Sequence, residues 1–242
     1  MAGAADRLYF RQLLSGRDFA RDDPIARQMV NFVYLIGDRE TGEAVAIDPA
    51  YGITELLDTV AADGLRLTGV LATHYHADHC GGDIMGYSIE GLRELLAQDE
   101  GAVPVHVQRD EAEWVKRSTG LGDSDLTLHD SGDVVLVGEI PITLMHTPGH
   151  TPGSQCFVVD GKLVAGDTLF LEGCGRTDLP GSDPDAMYES LTQRLATVPD
   201  STMLYPGHLY SPEPYATMGD TRERNYVFRV RSLDQWRAFM GG

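Results

Sequence analysis

Residues 73–79 read Thr73-His74-Tyr75-His76-Ala77-Asp78-His79, three imidazoles and one carboxylate within seven positions. A histidine kept for structure normally stands alone and satisfies a hydrogen bond or two. Four such groups crowded together repel when protonated and leave polar atoms unpaired when buried. A bound cation removes both difficulties, so the stretch reads as a metal site.

Three further stretches carry the same chemistry. Pro148-Gly149-His150-Thr151-Pro152-Gly153 fixes a histidine in a rigid turn. Ala165-Gly166-Asp167 sets a carboxylate at the end of an apolar run, and Pro206-Gly207-His208 repeats turn-then-histidine. One Gly-His or Gly-Asp dipeptide carries no weight, but the four stretches in this order are specific. The candidates all follow expected strands, after Ala72, Leu144, Ala165 and Tyr205. Strand ends on a rigid sheet can hold distant side chains convergent on one point. His106, His129 and His146 fall outside these stretches and read as ordinary surface or core residues.

The rest of the chain supplies alternating elements. Leu8–Leu14 reads as a strand, Arg17–Gln28 as a loop, and Val30–Ile36 with Ala44–Ile47 as a hairpin. Ile53–Ala62 has helical periodicity and leads into the buried strand Gly69–Ala72, a βαβ layer. Ile89–Gln98 and Asp110–Lys116 read as helices around an extended Val103–Val107. Val134–Val137 pairs with Ile142–His146, and Ser154–Val159 with Lys162–Ala165 about Asp160-Gly161. Pro184–Thr197 reads as a helix capped by Asp183, Met203–Tyr205 as a strand, and 222–240 as helical or mixed.

At 242 residues and 42% hydrophobic content, the chain suits one α/β domain over residues 1–242. Residues 82–101 read as inserted material (a lid, a homodimer contact or, more plainly, a surface helix), and 209–242 as a short C-terminal extension. With 37 acidic against 19 basic residues and a net charge of −18, a nucleic-acid partner is disfavoured. No apolar run is long enough for a membrane span, and Arg7, Arg11 and Arg17 precede no signal-like segment. The expectation is a cytoplasmic protein with neither membrane nor nucleic-acid partner. Cys80, Cys156 and Cys174 make no disulfide framework, and Cys156 reads as a small core residue.

The pattern His-x-His-x-Asp-His, followed in turn by His, Asp and His, resembles the metallo-β-lactamase superfamily. The resemblance runs from about Tyr9 to the C-terminus and implies an αββα sandwich. It implies one metal site at His74, His76 and His150 and a second at Asp78, His79 and His208, with Asp167 bridging. Two divalent ions, zinc or else iron or manganese, would polarise a carbonyl and lower the pKa of a bridging water. Asp78 and Asp167 are then the catalytic carboxylates.

Gly173-Cys174-Gly175-Arg176-Thr177-Asp178 is similar to a loop shared by the glyoxalase II (hydroxyacylglutathione hydrolase) and persulfide dioxygenase branches. There Arg176 is the candidate contact for an anionic small-molecule thiol conjugate, and a structural Arg176–Asp178 pair is the plainer alternative. Phe10-Arg11-Gln12-Leu13 and Tyr34–Glu40 look dioxygenase-like, as does a chain with only 34 residues beyond His208; Leu179-Pro180-Gly181-Ser182 looks hydrolase-like. Two chemistries follow. One is thioester hydrolysis at a dinuclear centre, favoured by all seven ligands being present. The other is persulfide oxidation at one iron held by His74, His150 and Asp167. A non-catalytic metal-binding protein is a third reading that the complete ligand set disfavours, while secreted β-lactamase and tRNA-processing nuclease fit neither the N-terminus nor the charge.

Overall fold

The structure, a computed structural model, describes residues 7–98 and 103–240. Its first sheet is built from β1 (Leu8–Leu14), β2 (Phe32–Asp38), β3 (Glu43–Ile47) and β4 (Arg66–Leu71). A small hairpin, β5 (Gly82–Ile84) with β6 (Tyr87–Ile89), precedes β7 (Val105–Gln108) and β8 (Leu126–His129), which complete that sheet in the order β1-β2-β3-β4-β7-β8. The second sheet uses β9 (Val134–Val137), β10 (Ile140–His146), β11 (Gln155–Val159), β12 (Lys162–Gly166), β13 (Met203–Pro206) and β14 (Ala216–Thr217). Its order is β14-β13-β12-β11-β10-β9.

In each half an antiparallel meander leads into a parallel crossover. Helix α1 (Pro24–Met29) precedes β2, and α2 (Ile53–Ala62) carries the chain from β3 to parallel β4. In the second half a helical segment from Pro184 to Thr197 carries it from β12 to parallel β13. A parallel neighbour cannot be reached by a tight turn, so a helix must cover the sheet face there.

Burial along β2 shows how the layers stack. Successive strand residues point to opposite faces. Phe32, Tyr34 and Ile36 join Ile142, Leu144, Phe157 and Val164 between the two sheets. Val33 and Leu35 face the other way, onto Leu56 and Val60 of α2. On the far side Leu163, Ala165 and Leu204 pack against Met187, Leu191, Leu195 and Trp236. Helix, sheet, sheet, helix is the expected αββα sandwich.

Three sequence expectations need correction. Arg17–Gln28, read as loop, contains the start of α1, because the Asp23 side chain accepts from the amides of Ile25 and Ala26 and Pro24 fills the first helical turn. The helix expected over Ile89–Gln98 begins only at Leu92. The cause is Gly91, which lies against Cys80 and Gly81 so closely that a Cβ would collide with their backbone. Of the 82–101 stretch, residues 82–98 form a hairpin followed by a short helix, and the remainder lies outside the described residues. Finally, Pro184–Thr197 is α-helical only to Glu189 and then widens into a π turn before tightening. Asp183 caps it as expected, accepting from the amides of Asp185 and Ala186. Among the described residues no helix is long and apolar enough to cross a membrane.

Candidate metal centre

The seven residues singled out above meet at one end of the sandwich, beyond the C-terminal ends of β4, β10, β12 and β13. Backbone bonds sew the two sheets together there: Gln155 N donates to Thr73 O, Phe32 N to Gly207 O, and Leu209 N to Val30 O. The Gln155 side chain also donates to Ala72 O at 2.9 Å. Rigid backbone under each loop fixes where its imidazole points.

Hydrogen bonds behind the rings decide which nitrogen faces inward. His79 Nδ1 donates to Asp48 Oδ2 at 2.9 Å, His208 Nδ1 to Met29 O at 2.8 Å and His150 Nδ1 to Arg176 O at 2.8 Å. Thr73 Oγ1 gives its proton to Asp48 Oδ2 at 2.6 Å, so it accepts from His74 Nδ1 at 2.9 Å. All four rings are thus left with Nε2 directed at the centre, the arrangement that orients imidazole ligands. His150 Nε2 faces His76 Nδ1 at 3.0 Å, and His79 Nε2 faces His208 Nε2 at 3.2 Å.

Asp167 lies between the two groups. Its Oδ1 is 3.4 Å from His79 Nε2, and its Oδ2 is 3.4 Å from His208 Nε2 and 3.6 Å from His150 Nε2. Two glycines allow this placement: a Cβ at Gly207 would strike Asp167 Oδ1, and one at Gly175 would strike Asp167 O and the His150 ring. Asp78 Oδ2 accepts from Asn31 Nδ2 at 3.1 Å and is 3.4 Å from His208 Nε2.

The donor set fits metal ions. His74, His76 and His150 offer ligand atoms within 4.8 Å of one another, and so do Asp78, His79 and His208. His74 Nε2 and Asp167 Oδ1 are buried without any hydrogen-bond partner, and each is an atom that a cation would engage. A third combination, Asp48 with His74 and His79, satisfies the same distance test. The oxygens of Asp48, however, are already taken by the Thr73 amide, the Thr73 hydroxyl and His79, so it orients ligands from behind.

The electrostatics divide the site. Burial, reinforced by neighbouring imidazoles, holds His74 well below its usual pKa and pushes His76 down to about 4. Those rings stay neutral and ready to ligate. Burial also opposes a charge on His79, but Asp78, Asp167 and the Asp48 bond outweigh it and push the ring up to about 10. Burial works against ionisation of Asp167, yet His208 and His79 hold its carboxyl well below the usual range. In the Asp78–His79–His208 group a cation would therefore displace protons as it binds.

The centre is open on one side. Five of the seven residues are buried, while His76 and Asp167 remain partly exposed. Tyr210 stacks on His208 at 4.5 Å with the planes 7° apart, and Phe170 meets both rings edge-on. Arg176 is exposed and forms a two-pronged bond to Asp178 at 2.9 and 2.8 Å, the plainer of the two arrangements read from the sequence. Cys156 is fully buried in the core. His106 and His129 pair with each other at 2.8 Å, and His146 bonds Pro152 O at 2.9 Å, so none of these three histidines joins the centre.

Asp48, Asn31 and Glu111 went unread in the sequence. Asp48 follows the apolar strand β3 just as Asp167 follows β12, and that repeated pattern was the available signal. Glu111, 1% exposed, accepts from Tyr75 N at 2.7 Å and Gly153 N at 2.6 Å, tying two of the histidine loops together. Nothing local marks it, since its partners are distant backbone amides.

A sandwich of this layering with histidines and aspartates gathered at its strand ends defines a class of metal-dependent enzymes. The chain belongs to the metallo-β-lactamase superfamily, whose family profile matches residues 27–208. It is 32% identical over 240 residues to human mitochondrial persulfide dioxygenase ETHE1, covering 93% of this chain and 84% of that protein. It is 37% identical over 185 residues to the hydroxyacylglutathione hydrolase of Nitrosococcus oceani, covering 74% of this chain and 62% of that enzyme. The crystal structure of ETHE1 from Myxococcus xanthus superposes with a TM-score of 0.76 at 30% identity, over 97% of this chain and 90% of that one.

Proposed function

We propose that the protein is a dinuclear metallohydrolase that cleaves the thioester of a small thiol conjugate, such as an S-2-hydroxyacylglutathione. The observation that carries this reading is the presence of two full ligand groups with Asp167 between them. His74, His76 and His150 would hold one divalent ion and Asp78, His79 and His208 the other. Bound there, two such ions polarise a carbonyl and make a water molecule acidic enough to attack at neutral pH.

The remaining work falls to side chains. Asp167 and Asp78 stay ionised and orient the attacking water, with the Asn31 amide fixing Asp78. Water adds to the carbonyl carbon, the C–S bond breaks, and the products are a carboxylic acid and a free thiol. Arg176 is the proposed contact for the carrier near the centre, and it must exchange its Asp178 partner to make that contact.

A second reading, oxidation of a glutathione-type persulfide at a single iron held by His74, His150 and Asp167, is favoured by one observation. The chain aligns over 93% of its length with the human persulfide dioxygenase and over 74% with the hydroxyacylglutathione hydrolase. Metal analysis of protein purified without added metal, paired with two assays, decides between them. The hydrolase reading expects two metal equivalents, thiol release from S-lactoylglutathione, and loss of one equivalent with most of the turnover in Asp78→Ala. One equivalent of iron, oxygen uptake with glutathione persulfide and no thioester cleavage by the zinc-loaded protein would replace it with the second reading.

A further inference from the structure

The open side of the centre leads onto an aromatic path. The Tyr75 ring meets His76 at 4.6 Å, and the Trp114 ring stacks on Tyr75 at 5.0 Å with the planes 28° apart. The Arg117 guanidinium lies over Trp114 at 5.6 Å. Tyr75 OH donates to Pro180 O at 3.0 Å, and Gly181 lies against Trp114, so the loop carrying Arg176 forms one bank of the path. Trp114 is half-buried and Arg117 exposed. These three contacts run in series, so the span from the His76 ring to the Arg117 guanidinium is at most about 15 Å, a length that four to five extended residues cover.

Charge singles out the far end. Arg176 is already neutralised by Asp178. Arg117 has a different surrounding: among the described residues its guanidinium lies over the Trp114 ring, and no carboxylate lies within ion-pair distance. Lys116, one position earlier, is taken by Glu113 and Asp123. In a chain of net charge −18, an unpaired guanidinium over an indole, at the end of a run of rings that starts from a metal centre, is a ready carboxylate receptor.

We propose that Tyr75, Trp114 and Arg117 form the outer half of the substrate groove and bind the carboxylate-bearing end of the thiol carrier. The aromatic rings cover the carrier's backbone and Arg117 pairs with its terminal carboxylate. The inference rests on the reading that the substrate is a conjugate of a small thiol. It holds whether the C–S bond is hydrolysed or the sulfur is oxidised.

The chain has two tryptophans, and Trp236 is fully buried in the second-sheet core, so emission changes on binding report Trp114. The metal-loaded protein is titrated with glutathione and, separately, with N-acetylcysteamine, a thiol without carboxylates. Glutathione is expected to change the emission of the wild type but not of Trp114→Phe. Arg117→Ala should weaken glutathione binding by about fivefold, Arg117→Glu further, and Arg117→Lys less, the scale of an exposed ion pair. N-acetylcysteamine binding should be the same in the wild type and the three Arg117 variants. In turnover, Arg117→Ala should raise KM for S-lactoylglutathione and leave kcat unchanged. Equal glutathione affinity across the Arg117 series, equal loss for both thiols, or no glutathione response in the wild type each overturns the proposal. If the binding pattern appears while thioester cleavage does not, the groove stands and the hydrolase reading falls.

Discussion

Asp48 Oδ2 takes a hydrogen bond from His79 Nδ1 at 2.9 Å and another from Thr73 Oγ1, whose oxygen in turn accepts from His74. One carboxylate behind the centre thereby sets the orientation of two rings, one in each proposed ligand group. Asp48→Asn substitutes an amide nitrogen for one of these acceptors. Metal affinity, measured by chelator competition, should fall about 10–100-fold. Unchanged affinity would show that the rings are held by packing alone.

Glu111 ties the amide of Tyr75 to that of Gly153, so it fixes the spacing between the loops of His74–His76 and His150. A glutamine has one acceptor oxygen for two buried donors. Glu111→Gln should destabilise the fold by about 1–3 kcal/mol, the cost of an unsatisfied buried amide. It should also broaden the visible spectrum of the cobalt-substituted protein, which a purely global loss of stability would not do. A spectrum and an unfolding midpoint equal to the wild type would refute the clamp.

Arg7 grips Asp38 with two bonds of 2.7 and 2.6 Å, and the same carboxylate accepts from the amides of Glu40 and Glu139. The Arg7 bond is the chief reason the Asp38 carboxyl sits well below its usual range. A depressed folded pKa means that the stabilisation is complete above the unfolded value of about 3.9 and is lost as pH falls towards the folded one. The urea midpoint of the wild type should therefore drop on acidification below about pH 5 more steeply than that of Asp38→Asn. Parallel acid limbs would place the sensitivity elsewhere.

Cys174 packs on the second-sheet cluster, and burial pushes its thiol up to about 12. A thiol so rarely ionised is a poor nucleophile. Cys174→Ser should keep turnover within about twofold, a surface-sized effect. Complete loss of activity with full metal content would show that the thiol takes part in the chemistry.

The donor set and the layering were legible in the order of the amino acids. Histidine and aspartate crowded at strand ends have few stable uses without a cation, and that constraint is local, legible in residues 73–79, 148–153, 165–167 and 206–208. The unbroken apolar run that opens β2 and the helical periodicity in α2 likewise need only neighbours in the chain. What stands behind and around those donors became visible only in the folded chain. The roles of Asp48, Asn31 and Glu111 depend on partners 25 to 177 positions away, and no local pattern records such pairings. The same holds for Arg176 and Arg117. Both are simply cations in the sequence, and only the fold sets Arg176 against a carboxylate and leaves Arg117 over an indole. A charge is available for binding only if its neighbours do not already neutralise it, and neighbours are a property of the folded chain.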